Sequence, residues 1–166
     1  MNEWPTPEQA GPGQESVWDY PRPPRLEPFA GTITVELGGR VIATTTRSWR
    51  VLETSHPPTY YLPREAFSDG VLRDAPGASM CEWKGQARYY DLVAGDAVAS
   101  RAAWTYPRPT PPFAEIAGAV AVMASLVDRC TVDGETVVPQ PGGFYGGWIT
   151  SRVVGPFKGI PGSMGW

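Results

Sequence analysis

In TITVELGGRVIATT, residues 32–45, apolar Ile33, Val35 and Leu37 alternate with polar neighbours, and Val41 and Ala43 resume the alternation beyond Gly38-Gly39. Successive side chains of a strand point to opposite faces, and a glycine pair supplies the positive φ angles of a two-residue turn. The stretch therefore predicts a β-hairpin. SWRVLET (48–54) and TYYLP (59–63) predict two further strands joined through SHPP. REAFSDGVLRDAPGAS shows no alternation and reads as a loose connection. MCEWKGQARYYDLVAGDAVASRAAWTYP then holds two or three strands around the turn Ala94-Gly95-Asp96. CTVDGETVV (130–138) predicts a second hairpin around Asp133-Gly134, and Trp148 to Val154 a short strand within glycine-rich loops.

Two stretches break the β pattern. In PPFAEIAGAVAVMASLVDRC (111–130), Phe113, Ile116, Ala117 and Val120 fit helical spacing, but Gly118 interrupts the run. The reading is a short helix to about Ala117 followed by a strand through Val120–Met123. SVWDYPRPPRLEPF (16–29) holds four prolines; proline has no N–H to donate to a central ladder, so an extended arm is expected, with Trp18 and Tyr20 docked on the body. Residues 1–16 are polar and rich in Gly and Pro, and are read as a flexible leader. A mainly antiparallel β fold with one short helix, in a single domain over residues 17–166, is the resulting expectation.

Composition narrows the function classes. The chain has 166 residues, enough to bury a core without metal or disulfide. Its 19 Gly and 19 Pro make up near a quarter of the sequence, yet 7 Trp and 7 Tyr are interspersed among them, unlike a disordered chain. A net charge of -3 with one histidine argues against a nucleic-acid partner. No apolar run approaches the roughly 18 residues of a membrane span. The start has neither the basic nor the apolar region of a signal peptide, so a cytoplasmic protein is expected. Cys81 and Cys130 form no C-x-x-C pair, and reduced, core-packed thiols are expected of them.

Familiar catalytic motifs are missing. The sequence has no G-x-x-x-x-G-K-[ST], no G-x-G-x-x-G and no G-x-S-x-G. Two cysteines and one histidine cannot supply the four ligands of a structural zinc, so no metal ligand is assigned. His56, between Ser55 and two prolines, is the one side chain whose ordinary pKa suits a general base near neutrality. The sequence identifies no acid or nucleophile beside it, and a loop histidine bonded to backbone remains open. Lys84, in W-K-G, and Lys158, in F-K-G, are the only lysines. Lysine rather than arginine suits a compact charge or a narrow pocket. On a strand, Lys84 faces away from Cys81, Trp83 and Gly85. It could meet a ligand carboxylate, form a Schiff base, or pair with Glu82 on the surface. Lys158, in a loop-rich tail, is expected to meet only solvent or the chain terminus. The many aromatic residues can serve as core or as pocket walls.

The motifs ETSHPPTYYLPRE, CEWKGQARYY, AAWTYPRP, VDGE and PGGFYGGWITSRVVGPFKG recur in order across most of residues 16–166. In this they resemble the family filed as domain of unknown function 427, which carries a nucleotidyltransferase-like label. The resemblance implies a β-tent type domain, two antiparallel sheets pinched around a pocket. Some relatives with that fold carry zinc, but the chain lacks the paired cysteines. The transferase label implies nucleotide and magnesium, for which the sequence offers neither phosphate loop nor clustered carboxylates. The resemblance carries over Cys81, Trp83, Lys84 and Gly85, the pair Tyr60 and Tyr61, and Trp104 with Tyr106. Ala119, Val122 and Met123 stand where it implies larger aromatics, which would widen the cavity.

The sequence thus points to a small-molecule-binding protein whose pocket uses Tyr60, Tyr61, Trp83, Trp104, Tyr106, Met123 and Trp148. Turnover, if any, would need no metal or cofactor and would rest on Lys84 first and His56 second. The competing class is a non-catalytic module with an aromatic cage. The partner expected is a small organic molecule, not nucleic acid or membrane, and a homodimer is left open.

Overall fold

The computed structural model describes residues 4–166. Fifteen strands follow one another. They are β1 (Glu15–Ser16), β2 (Arg25–Phe29), β3 (Ile33–Leu37), β4 (Arg40–Thr45), β5 (Ser48–Leu52), β6 (Thr59–Tyr61), β7 (Leu72–Cys81) and β8 (Gly85–Ala94). After these come β9 (Ala97–Thr105), β10 (Val120–Val122), β11 (Arg129–Val132), β12 (Glu135–Thr136), β13 (Val138–Pro139), β14 (Trp148–Ile149) and β15 (Val153–Val154). The fold is mainly β. Its helical parts are short 3-10 segments, the longest being Pro111–Ile116, followed by β10 as the glycine break at Gly118 implies.

The strands form two four-stranded sheets, ordered β10-β9-β8-β7 and β12-β11-β3-β4, a three-stranded sheet β2-β5-β6, and two small pairs. Every pairing is antiparallel except β1 with β15. The three-stranded sheet runs on into the β10 edge, because Leu62 and Val120 exchange two 2.8 Å backbone hydrogen bonds. The β3–β4 hairpin turns at Gly38 and Gly39, both at positive φ, and buries Ile33, Val35 and Leu37. They join Leu62, Leu92, Val120, Val122, Tyr60 and Trp148 in the main core. A second cluster gathers Val51, Tyr61, Ala87, Tyr106, Phe113 and Ile116 on the other face of β6.

Three expectations require correction. The stretch read as a loose connection contains most of β7, a ten-residue strand. It is a sheet edge with mostly exposed side chains, so no alternation marks it, and its register shifts between Ala75 and Ala78 around Pro76-Gly77. Trp83 and Lys84 are not on a strand: Glu82–Lys84 forms the turn between β7 and β8, and Gly85, at φ +105°, opens β8. The tail strand is two short pieces, β14 and β15, separated by a turn at Ser151-Arg152.

The proline-rich arm ends in β2, an edge strand where Pro28 lies opposite Trp49 and lacks a second neighbour to satisfy. Of the leader, residues 1–3 lie outside the described residues. The Glu8 N–H donates to the Gly155 carbonyl at 2.8 Å, and the Glu8 carboxylate accepts from the Gly155 N–H at 2.7 Å. Trp18 Nε1 donates to the Pro156 carbonyl at 2.9 Å. Arg50 of β5 is buried between Glu15 (3.0 Å) and Glu27 (2.6 Å), whose hydrogen bonds keep its guanidinium charged against the cost of burial. The Tyr20 hydroxyl donates to the same Glu15 at 2.8 Å, so arm and tail close against β5 together.

Candidate functional site

Residues two apart on a strand share a face, and residues directly opposite in an antiparallel pair share it too. Tyr89 of β8 lies opposite Trp104 of β9, so Ala87, Tyr89, Trp104 and Tyr106 all project from one side of the sheet. Tyr61 comes from β6 and Met123 from the end of β10. With these rings they wall a cavity of about 400 Å³. Trp104 Nε1 donates to the Tyr61 hydroxyl at 3.2 Å, tying the back wall together. Burial pushes the Tyr61 and Tyr106 phenols well above their ordinary range, so both stay neutral.

One rim is the β7–β8 turn. Thr110 pins it, donating from its hydroxyl to the Trp83 carbonyl at 2.5 Å and from its N–H to the Lys84 carbonyl at 3.1 Å. Lys84 thereby stands at the cavity edge, with Nζ 5.6 Å from the Tyr106 ring centre and 6.0 Å from that of Phe113. Cys81, a free thiol, lines the same edge.

The opposite rim is built by Glu53, His56, the loop from Gln140 to Gly146, and Lys158. Gln140 is its hub. Its Oε1 accepts from the Gly147 N–H at 3.0 Å, which fixes the amide orientation. Its Nε2 then faces His56 Nδ1 at 3.0 Å and the Lys158 carbonyl at 2.9 Å. Since Nε2 of Gln140 can only donate, Nδ1 of His56 accepts and the ring proton sits on Nε2, which faces Glu53 Oε2 at 3.5 Å. Burial pulls the His56 pKa from 6.5 down to about 4; Glu53 opposes this, while Lys158, Arg22 and Lys84 reinforce it. The imidazole is neutral at physiological pH.

Glycines let the loops close on one another. A Cβ at Gly146 would enter the Trp104 ring, and one at Gly147 would lie 2.5 Å from the Pro57 carbonyl oxygen. Gly159, at φ +121°, packs on the Pro141 carbonyl. Tyr145 meets the His56 ring edge-on at 4.9 Å, while Phe144 stands exposed at the cavity mouth. Lys158 Nζ lies 5.6 Å from the Tyr145 ring centre and donates to the Trp166 main-chain oxygen at 3.1 Å.

Of the residues expected from sequence, Lys84, His56, Tyr61, Trp104, Tyr106 and Met123 line this cavity. Tyr60, Trp83 and Trp148 do not. Tyr60 is the strand neighbour of Tyr61 and points to the opposite face, where it stacks on Trp148 at 5.1 Å. Trp148 is fully buried and donates to the Val122 carbonyl at 3.0 Å. Trp83 packs beside the second cluster from the turn. Ala119 and Val122 are buried in the clusters, so Met123 alone of the three small replacements reaches the cavity. Sequence reasoning missed Glu53, Gln140 and Lys158; the repeated aromatic-Lys-Gly motif was the one signal for Lys158.

Among the described residues no group of three or more His, Cys, Asp and Glu is placed to hold a metal ion. No helix there is long and apolar enough to cross a membrane. A family model described as "Domain of unknown function (DUF427)" matches residues 25–133. No curated protein matches the chain.

Proposed function

The chain belongs to the DUF427 family, and from that premise we propose that it binds a small organic molecule, apolar or aromatic, in the cavity of Tyr61, Trp104, Tyr106 and Met123. The observation that carries the reading is the cavity itself. It has the size of known small-molecule sites and the same make-up, ring walls with a few polar groups at the rim. Sheet residues locked by the Trp104–Tyr61 hydrogen bond give a rigid wall, which lowers the entropy cost of binding. In this reading the protein works in the cytoplasm, where its two free cysteines stay reduced.

If the bound compound is turned over, Lys84 is the group to act on it. Its Nζ has no carboxylate partner among the described ion pairs, and it stands beside the ring walls. His56 serves differently. Both its nitrogens face protein groups, Gln140 and Glu53, which suits a positioning residue for the rim rather than a free base. That engagement favours a second reading, a binding module that releases its ligand unchanged.

Mass spectrometry of small molecules released from the purified protein tests the proposal. A stoichiometric organic compound lost from Trp104→Ala supports it, and a wild-type protein that neither retains nor takes up any apolar compound overturns it. Incubating the released compound with wild type and with Lys84→Met separates the two readings, since only the enzyme converts it and only through Lys84. Nucleotide with magnesium should leave the melting temperature unchanged.

A further inference from the structure

Six arginines, Arg22, Arg25, Arg47, Arg50, Arg129 and Arg152, sit in ion pairs with carboxylates. Among the described residues neither lysine pairs with an Asp or Glu, Lys158 donating instead to the Trp166 main-chain oxygen, and although 74 positions separate them in the chain, both line the same cavity. The side chains that could offset them are few. Among the described residues Glu53 is the single carboxylate on the lining, and it lies 3.3 Å from Arg22 and 3.5 Å from His56. His56 is uncharged, and the lining tyrosines Tyr61 and Tyr106 are held neutral. The described side chains of the lining, Lys84, Lys158 and Glu53, thus carry one net positive charge over an apolar floor.

We infer that the ligand is an organic monoanion, an aromatic or apolar body bearing one carboxylate that Lys84 and Lys158 hold at the cavity rim. The inference rests on the small-molecule reading above and names the class of that molecule. An ammonium has three donors; Lys158 spends one on the Trp166 main-chain oxygen and keeps two, and Lys84 spends none on a carboxylate. A carboxylate fits better than a phosphate for two reasons. No arginine lines the cavity to grip a phosphate with its fork, and Glu53 on the same wall repels a second negative charge. The rings receive the ligand body, as the lysines already lie over the faces of Tyr106 and Tyr145.

Isothermal titration with 2-naphthoate, its neutral isostere 2-naphthamide, and 2-naphthyl phosphate tests this on wild type, Lys84→Met and Lys158→Met. Melting curves first establish that the variants are folded. Naphthoate should bind wild type about tenfold more tightly than naphthamide, and each lysine substitution should weaken naphthoate alone by about tenfold. Equal binding of naphthoate and naphthamide overturns the anion while leaving the ring-walled cavity as a binding site. Binding of none of the three overturns both. Tighter binding of the phosphate overturns the carboxylate, and an unaltered naphthoate affinity in Lys158→Met overturns the shared hold.

Discussion

The amide nitrogen of Gln140 donates to Nδ1 of His56 across 3.0 Å, and this one bond sets the tautomer of the only histidine in the protein. It also joins the segment after β13 to the loop between β5 and β6, so the cavity rim depends on a neutral imidazole.

The first prediction concerns pH. The folded His56 pKa, about 4, lies below its ordinary 6.5, so as pH falls the unfolded chain takes up a proton before the native one does. Stability from this group is full above about 6.5 and drains away towards 4, by about 3 kcal/mol in all. Urea unfolding at pH 7 and pH 4.5 should show a smaller loss in His56→Asn than in wild type. The ring resonances of His56 should show no titration between pH 8 and pH 5.5.

Gln140→Ala removes the partner of three groups at once: the His56 nitrogen, the Gly147 N–H and the Lys158 carbonyl. Water reaching the open cavity replaces part of this, so a loss of about 2–4 kcal/mol is expected. In a thermal melt that is a fall of about 5–15 °C for a chain of this size.

Two tryptophans should answer differently to truncation. Trp148→Ala empties a site that is 1 % exposed and frees the Val122 carbonyl, at a cost of about 3–5 kcal/mol measured by denaturant. Trp104 is half-buried on the cavity wall, so Trp104→Ala should cost less stability and abolish binding of aromatic probes.

Glycine substitutions provide a paired comparison. Gly39 has positive φ but nothing within 4 Å of an added Cβ, so Gly39→Ala should lose only about 1 kcal/mol. Gly159 combines φ +121° with direct overlap on the Pro141 carbonyl. Gly159→Ala should lose about 3 kcal/mol or more, read from the shift in urea midpoint.

Where local chemistry dictates local structure, the sequence was readable. The β3–β4 and β11–β12 hairpins announce themselves by alternation around Gly38-Gly39 and Asp133-Gly134, and Gly118 separates the 3-10 turn from β10. The edge strand β7 was not readable, because its exposed side chains carry no burial pattern and a bulge interrupts its register. The site was half legible. Tyr61, Trp104 and Tyr106 emerged as wall residues, but consecutive Tyr60 and Tyr61 cannot both face one cavity from a strand, and the period of two already said so. Gln140 was invisible, and the place of Lys158 on the cavity was missed, for another reason. Their place is set by glycine-to-backbone packing between distant loops, which no local window records.

That packing separates the floor of the cavity from the charge at its mouth. The rings and Lys84 come from the stretch that matches the family model, whereas Gln140, Tyr145 and Lys158 come from beyond it. The second stretch is seated on the first at three places. The seats are Trp104 for Gly146, Pro57 for Gly147 and His56 for Gln140. Replacing Lys158 while keeping those three seats would change the charge at the mouth and leave the ring-lined floor as it is.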